Sequence, residues 1–269
     1  MTGMGAYEKV KLARDNKRPT ATSYIHNIFT EFFEMRGDRR FADDQAVIGG
    51  IARLGGIPVT VIATEKGRST RERMLHSFGA PNPEGYRKSL RLMKQAEKFH
   101  RPVICLVDTS GAYCGIGAEE RGEGQAIAEN LMELMTLKTP VISIVIGEGG
   151  SGGALALAVA DRVWMLENSI YSIISPEGCA SILWKDSAKA DQAAEVLELT
   201  AQDSLRNGII DMVISEDDIG EDSYYEGIKE LLTDAVKELM QRDVSELTAE
   251  RYMRFRRIGQ PAQGGEEEL

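Results

Sequence analysis

The stretch PVISIVIGEGGSGGALALA, residues 140–158, decides the fold class. It begins with a short apolar run that predicts a buried parallel strand, continues into a glycine-rich turn, and ends in a helix that is apolar on every side. The stretch PVICLVDTSGAYCGIG, residues 102–117, has the same order of strand and glycine turn, followed by a helix from about Glu119. Strand, turn and helix in repeated order predict an α/β fold with right-handed crossovers.

Further elements are expected on both sides of these two units. Residues 47–51 and 57–63 predict two paired strands around a Leu-Gly-Gly turn. Apolar spacing predicts helices over residues 193–205 and 228–239. An amphipathic helix is predicted near the N-terminus from Ile25, Ile28, Phe29 and Phe32.

Composition excludes several classes of protein. The chain has 269 residues and a net charge of −10, which makes nucleic acid an unexpected partner. Its longest apolar run is far shorter than the ~20 residues that span a bilayer, and no signal peptide is visible, so we expect a cytoplasmic protein away from membranes. Three cysteines without CxxC spacing argue against disulfides and against a metal site.

Positive charge is concentrated in one segment. Residues 66–101 contain ten basic and three acidic residues. Within a predicted helix that begins at Asn82-Pro83, Arg87 and Arg91 lie on a basic face opposite an apolar one. This face is either solvated or the docking site of an anionic ligand or partner.

The glycine turn at residues 147–153 has three chemical interpretations. A G-x-S-x-G nucleophile elbow centred on Ser151 would need a later histidine, and the three histidines all precede Ser151. A dinucleotide fingerprint is also present, because Gly147, Gly149 and Gly152 fit G-x-G-x-x-G. Glu167, at the end of the next predicted strand, stands where that fingerprint places its acidic residue. That match keeps an NAD(P)-binding oxidoreductase open as an alternative.

In the third interpretation, the glycines leave main-chain amides free at a helix N-terminus, where they form an oxyanion hole. The alternative role for these glycines is tight packing of a buried helix. Two such turns after adjacent strands would bring two sets of donors together at the strand ends. No convincing catalytic acid or base accompanies the turns, so a reaction that supplies its own base would suit the site.

Several motifs together resemble one enzyme family. In order along the chain they are GDRRFADD (37–44), GAPNPEGYRK (79–88), GAEERG (117–122), GEGGSGG (147–153) and SPEGCASILWK (175–185). They are similar to the α-subunit family of bacterial acetyl-CoA carboxylase carboxyltransferases. The resemblance implies a crotonase/ClpP-like spiral of ββα units. It divides the chain into an N-terminal helical arm (1–36), a single carboxyltransferase domain with C-terminal helices (37–259) and a disordered acidic tail (260–269).

The same resemblance implies an activity and a set of partners. The family moves a carboxyl group from carboxybiotin on a biotin carboxyl carrier protein to acetyl-CoA, giving malonyl-CoA for fatty acid synthesis, and the freed biotin nitrogen accepts the acetyl proton. The implied partners are a β subunit with a zinc ribbon, in an α2β2 assembly, and biotin carboxylase. A carboxyltransferase or decarboxylase acting on another acyl-CoA, and a non-catalytic scaffold, stay open.

The resemblance also assigns residues to roles. The amides of Gly149 and Gly150 would face the biotin ureido oxygen, with Gly111, Ala112, Tyr113 and Gly115 forming the adjoining wall. Phosphates of CoA would dock on Arg87 and Arg91, with a subunit contact as the rival role. The chain departs from the family where two prolines are usual, at Ser110 and Cys114; we expect Cys114 to be buried or half-buried.

Overall fold

The structure, a computed structural model, describes residues 4–260. Its centre is a mixed sheet of eight strands in the order β1-β2-β3-β4-β5-β6-β8, with β7 paired to β5. The first three strands pair antiparallel and the others pair parallel. The strands are β1 (Thr30–Glu34), β2 (Val47–Leu54), β3 (Ile57–Thr64), β4 (Val103–Thr109), β5 (Val141–Gly150), β6 (Arg162–Leu166), β7 (Ile170–Ser172) and β8 (Met212–Ile214).

Helices connect the strands and cover both faces of the sheet. Short 3-10 turns occur at Ser77–Gly79 and Ser187–Lys189. The α-helices are α1 (Ala6–Ala13), α2 (Ala21–Ile28), α3 (Thr70–Leu75), α4 (Pro83–Lys98), α5 (Ile116–Glu120), α6 (Glu123–Met135), α7 (Ser151–Ala158), α8 (Pro176–Trp184), α9 (Ala190–Val196), α10 (Ala201–Arg206), α11 (Asp222–Met240) and α12 (Val244–Arg257).

The central parallel strands β4 and β5 are apolar along most of their length, and both of their faces are buried. In β4, Ile104 and Leu106 contribute to a core with α2 and α11. The alternate residues Val103, Cys105 and Val107 contribute to a second core with α4, α6 and α7. This period of two explains why the sequence shows continuous apolar runs where an exposed sheet would show alternation.

Strand β5 holds two groups of strands together. Its first half pairs with β6, from Ile142 opposite Arg162 to Val145 opposite Met165. Its last residues pair instead with β7, where Gly149 lies opposite Tyr171. The glycine turn is therefore fixed by neighbours on both sides of the strand that leads into it.

A buried arginine anchors the last helix. The Arg251 side chain is fully buried, and its guanidinium donates to both carboxylate oxygens of Asp161 at 2.8 and 2.7 Å. Its remaining donors reach the carbonyl oxygens of Leu134, Leu137 and Thr139. Because all these donors are satisfied, α12 is held against the end of α6 and the start of β6.

Most predicted elements are confirmed, and two are wrong in part. The strands around residues 54–56 pair as expected, and α7 is a buried helix after a buried strand. The segment predicted as a helical arm is not helical throughout, because α2 ends at Ile28 and Phe32 lies in β1. That strand passes so close to Gly50 that a Cβ there would lie 2.2 Å from the carbonyl oxygen of Phe33.

The helix predicted over residues 193–205 is interrupted. Helix α9 ends at Val196 and α10 begins after Thr200. The backbone between the two helices is hydrogen-bonded to β7, since the carbonyl of Leu199 accepts the N–H of Tyr171 at 2.9 Å. Of the predicted tail, residues 261–269 lie outside the described residues. Among residues 4–260, none of the helices has the length and apolar character needed to cross a bilayer.

Candidate functional site

The two glycine turns meet at the carboxyl ends of β4 and β5. Adding a Cβ to Gly150 would bring it within 2.2 Å of the carbonyl oxygen of Ser110. Adding one to Gly153 would bring it within 2.6 Å of the amide nitrogen of Ala112. Glycine is thus needed at both positions for packing, and this packing brings the two turns together as the sequence predicts.

The amides of Gly149 and Gly150 lie inside the sheet. Gly149 lies opposite Thr109 on one side and opposite Tyr171 on the other. Tyr171 donates its own N–H to Leu199, away from β5. In a parallel ladder with this register, the N–H of Gly149 points to the carbonyl of Ile170, and the N–H of Gly150 points to the carbonyl of Thr109. The register therefore conflicts with the prediction that Gly149 and Gly150 are free donors.

Free donors are expected one residue further along the chain. The first N–H groups of an α-helix have no partner within the helix, and in α7 these belong to Ser151, Gly152 and Gly153. Gly152 is half-buried, and a Cβ there would meet only a methyl group of Ile127 at 3.6 Å. Because residue 152 is a glycine, it has no side chain that could cover the main-chain amides at the start of α7.

An apolar cavity of about 610 Å³ opens beside these amides. A second pocket of only about 50 Å³ also touches Ser151, and Arg14, Glu148, Gly149 and Gly150 are among its lining residues. The larger cavity falls in the size range of small-molecule sites. It is lined by Ser151, Gly152, Leu155, Ala158, Val163, Tyr171, Ser172, Ile173, Ile209, Phe255 and Ile258.

Ser151 has the backbone of a nucleophile elbow without its partners. It is exposed and has a left-handed φ of 55°, at the sharp change from β5 to α7. His26 and His76 line a different cavity, formed by α2 and the loop after β3. The side chains lining the two cavities beside Ser151 include no histidine. The hydroxyl therefore lacks the base that nucleophilic catalysis requires.

A buried network of charges supports the glycine turn from behind. Lys66 Nζ lies 2.6 Å from Asp108 Oδ1 and 2.8 Å from Glu148 Oε2. Asp108 also accepts the N–H of Glu148 at 2.8 Å, which links the ends of β4 and β5. Arg14, after α1, pairs with both Glu148 and Glu177 at 2.8 Å. The two acids beside Lys66 are thus occupied by cations.

The pKa shifts of Lys66 and Glu148 favour their ionised forms, whereas burial raises the pKa of Asp108 in spite of Lys66. Burial alone would lower the pKa of Lys66, but Asp108 and Glu148 outweigh burial and raise it. Burial alone would raise the pKa of Glu148, but Lys66 and Arg14 hold it below its ordinary value. A lysine and a carboxylate that are both paired and ionised are poor candidates for a general acid or base at neutral pH.

The turn after β4 packs against the start of α7, and residues 111–115 do not line the cavity of about 610 Å³. Gly111 donates its N–H to Thr109 Oγ1 at 3.0 Å, and Tyr113 donates its N–H to the carbonyl of Pro81 at 2.9 Å. Gly115 is the N-cap of α5, and a Cβ there would lie 2.6 Å from the ring of Tyr113. Ala112 is half-buried and touches the start of α7 at Gly153.

The expectation for Cys114 is wrong, because its side chain is exposed. The loop that carries it runs outward between Tyr113 and α5, and Tyr113 is 44% exposed. Ser110, the other position where the family usually has proline, is exposed as well.

The basic face of α4 has an internal role. Arg87 donates from Nε to Asp38 at 2.7 Å and from another nitrogen to the carbonyl of Arg121 at 3.0 Å. Arg91 donates from Nε to the carbonyl of Gly37 at 3.0 Å. Lys88 is buried and bonds Asp43 at 2.6 Å. These side chains hold residues 35–44, which conflicts with the prediction that Arg87 and Arg91 bind CoA phosphates.

The acidic partners of Lys66 are not evident from the sequence. The sequence places Lys66 only in a basic segment, whereas its two acids come from the ends of strands that lie much further along the chain. The available signal is position: Asp108 stands directly after one apolar strand run and Glu148 follows Gly147 at the end of the next, where parallel strands end side by side.

The chain is similar to known proteins along nearly its whole length. The family model described as "acetyl co-enzyme A carboxylase carboxyltransferase-like" matches residues 1–259. The acetyl-coenzyme A carboxylase carboxyl transferase subunit alpha of Ruminiclostridium cellulolyticum is 59% identical over 256 residues, which cover 95% of this chain and 98% of that protein. The chain belongs to the acetyl-CoA carboxylase carboxyltransferase family.

One carboxyltransferase relative joins two subunits in a single chain. The beta/alpha protein of Natranaerobius thermophilus is 58% identical over 257 residues, covering 94% of this chain and 42% of that protein. Among solved structures, transcarboxylase 12S matches with a TM-score of 0.71 at 18% identity, over 87% of this chain and 45% of that chain. This likeness confirms the predicted fold class, that of the crotonase-like carboxyltransferase domains. The dinucleotide interpretation gains no support.

Proposed function

We propose that this carboxyltransferase subunit stabilises negative charge on the ureido oxygen of biotin with the amides at the start of α7, while a β subunit presents acetyl-CoA. The hydrogen-bond donors in this proposal are the main-chain amides of Gly152 and its helical neighbours, in place of those of Gly149 and Gly150. The single observation that carries it is the apolar cavity of about 610 Å³ at the first turn of α7.

The residues present fit biotin in two ways. The cavity walls at Leu155, Tyr171 and Phe255 suit an apolar bicyclic ring. The amides of Ser151 and Gly152 at its edge, together with the helix dipole, suit an oxygen that gains negative charge. Glycine at 152 allows that oxygen to approach the backbone to ~2.7–3.1 Å.

The protein's part in this reaction needs no ionising side chain at the reacting atoms. When bound, carboxybiotin supplies both the carboxyl group and, at its freed nitrogen, the base for the acetyl proton. The paired Lys66 and Glu148 hold the turn in place and keep its amides aligned. The turn at Gly111 and Ala112 packs against the first turn of α7 at Gly153. Phe255 and Ile258 add apolar surface to the cavity.

We also propose how the subunit assembles with its partners and where in the cell it acts. Family membership and the two-subunit relative support a β-subunit partner, and we extend this to an α2β2 complex in the cytoplasm. The carrier protein and biotin carboxylase would deliver the carboxyl group. A zinc ribbon would belong to the β subunit, and the acyl-CoA selectivity would lie largely there. Acetyl-CoA is the substrate proposed for this chain, and another acyl-CoA is an outcome of the test.

The decisive experiment measures malonyl-CoA formation by the chain co-purified with its β subunit. The wild-type complex should be active, and Gly152→Val should lose at least tenfold in kcat while the fold is kept, because the side chain blocks the amides. Gly124→Val is the matched control: this glycine also lies in a helix and its Cβ would have nothing within 4 Å. Full activity of Gly152→Val, or activity without the β subunit, would contradict the proposal.

A further inference from the structure

A carboxyl group lies buried without partners behind the site. Glu123 is the first residue of α6 and is only 4% exposed. Both of its carboxyl oxygens are inaccessible, and neither has a hydrogen-bond partner in the described part of the chain. An ionised carboxylate in this position would be costly, because nothing replaces its lost hydration.

The cations near Glu123 are committed elsewhere. Arg121 donates to Glu84 at 2.9 Å and to Asn82 at 3.4 Å. Arg87 is bound to Asp38, and Lys88 to Asp43. The titratable groups that act on the carboxyl are Asp44 before β2, Glu84 and Tyr86 on α4, Glu119 on α5 and Arg121 between α5 and α6. Three of these five are acids, so the surroundings favour a neutral Glu123.

A buried tyrosine lies between α6, which begins with Glu123, and the first turn of α7. Tyr86 is fully buried, and its hydroxyl also lacks a partner within residues 4–260. It packs against Ala126, which lies one turn after Glu123 on α6. The same hydroxyl oxygen lies 2.7 Å from the position that a Cβ on Gly153 would occupy. Tyr86 thus touches the first turn of α7 from the side opposite the cavity.

We propose that Glu123 is a positioning residue that supports the first turn of α7 through Tyr86, and that it does so only as a neutral carboxylic acid. The inference rests on the proposed function, since it concerns the same amides. An ionised Glu123 would place a negative charge behind donors whose task is to stabilise another negative charge. It would also force water or a counter-ion into a packed region between α4 and α6.

The direction of titration follows from these surroundings. Burial, with Asp44, Glu84 and Glu119, raises the pKa of Glu123 to about 8 from 4.5. At pH 9 about a tenth of the molecules would then keep the neutral form. Since the folded chain holds this proton and the unfolded chain releases it near 4.5, the free energy of unfolding falls as pH rises from 4.5 to 8.

The test compares Glu123→Gln with wild type in the complex with the β subunit. Glutamine keeps the shape and the donor but cannot ionise. From pH 7 to pH 9, the kcat of the wild type should fall about tenfold relative to that of Glu123→Gln. Glu120→Gln, a change at an exposed carboxylate one helix earlier, should keep the wild-type profile. Glu123→Ala should be impaired at every pH, so that only the glutamine variant restores activity.

Unfolding provides a readout besides activity. The melting temperature of the wild-type complex should fall between pH 6 and pH 9 by more than that of Glu123→Gln. Parallel pH profiles of kcat and of melting for these two proteins would overturn the inference. A wild-type complex that makes no malonyl-CoA at any pH would instead refute the proposed function, and the melting comparison would still decide whether Glu123 is neutral.

Discussion

At the scale of single residues, the site depends on charges that are neutralised before substrate arrives. Lys66 is held between Asp108 and Glu148, and Arg14 completes the pairing of Glu148. A buried group with satisfied partners keeps a fixed position, and a fixed position is what main-chain donors need in order to act without reorganisation. The side chains around the turn therefore contribute by fixing geometry.

Replacing Lys66 by methionine tests this support. The change leaves Asp108 buried without a counter-charge beside Glu148, which keeps only Arg14, so we expect a loss of about 3–5 kcal/mol in the free energy of unfolding. Urea unfolding at pH 7 measures it. Lys98→Met, at an exposed lysine on α4, is the control and should lose less than about 0.5 kcal/mol. Equal losses in the two variants would contradict a supporting role for Lys66.

At the scale of elements, α4 organises the loop before β2. Its buried and half-buried cations bind the backbone and the acids of residues 35–44, which the sequence shows only as a motif rich in arginine and aspartate. Helical spacing correctly predicts that Arg87 and Arg91 share a face. It cannot predict what covers that face, because the covering loop comes from a segment far earlier in the chain, before β2 and β3.

Replacing Arg91 by methionine separates the loop role from phosphate binding. Arg91 donates to the carbonyl oxygens of Gly37, Met35 and Arg36, so its loss should open the loop and speed trypsin cleavage at the exposed Arg39 and Arg40 about tenfold.

The KM for acetyl-CoA should stay within twofold of wild type. Lys98→Met again serves as the control for removal of a positive charge from α4. An increase in KM of tenfold with unchanged cleavage would restore the phosphate role of Arg91.

The predictable part of the fold consists of elements with strong local patterns. The apolar runs of β4 and β5, the glycine turns and the apolar α7 can all be read from the sequence, since each pattern is complete within one short stretch of chain. The turn at Leu197 and the strand around Phe32 cannot, because tertiary pairing with β7 and β2 decides their conformation. The end of β5 cannot be placed from the sequence for the same reason, because its last residues pair with β7.

At the scale of the whole molecule, a few buried ion pairs connect segments that are distant in sequence. Arg18, between α1 and α2, forms a bidentate pair with Glu216 after β8 at 2.8 and 2.6 Å. Glu216 also accepts two hydrogen bonds from Asn168, which follows β6. The pair thus joins the N-terminal helices to the far edge of the sheet.

This pair predicts a loss of stability in acid. Burial alone would raise the pKa of Glu216, but Arg18 and Asn168 hold it below its ordinary value. Its contribution is therefore present above the pKa of an unfolded glutamate and is lost as pH falls through the lower folded value. Glu216→Gln should reduce the fall in unfolding free energy between pH 6 and pH 3. An unchanged acid profile, measured by urea titration, would argue against this assignment.

Strand β5 is shared between β6 along its first half and β7 at its end, with β4 beside both. Neither group of strands can separate while this shared backbone stays intact. Its amide protons should consequently exchange with deuterated solvent only when the entire chain opens, so their exchange rate would report global stability directly, whereas the exposed end of α12 would lose protection much earlier.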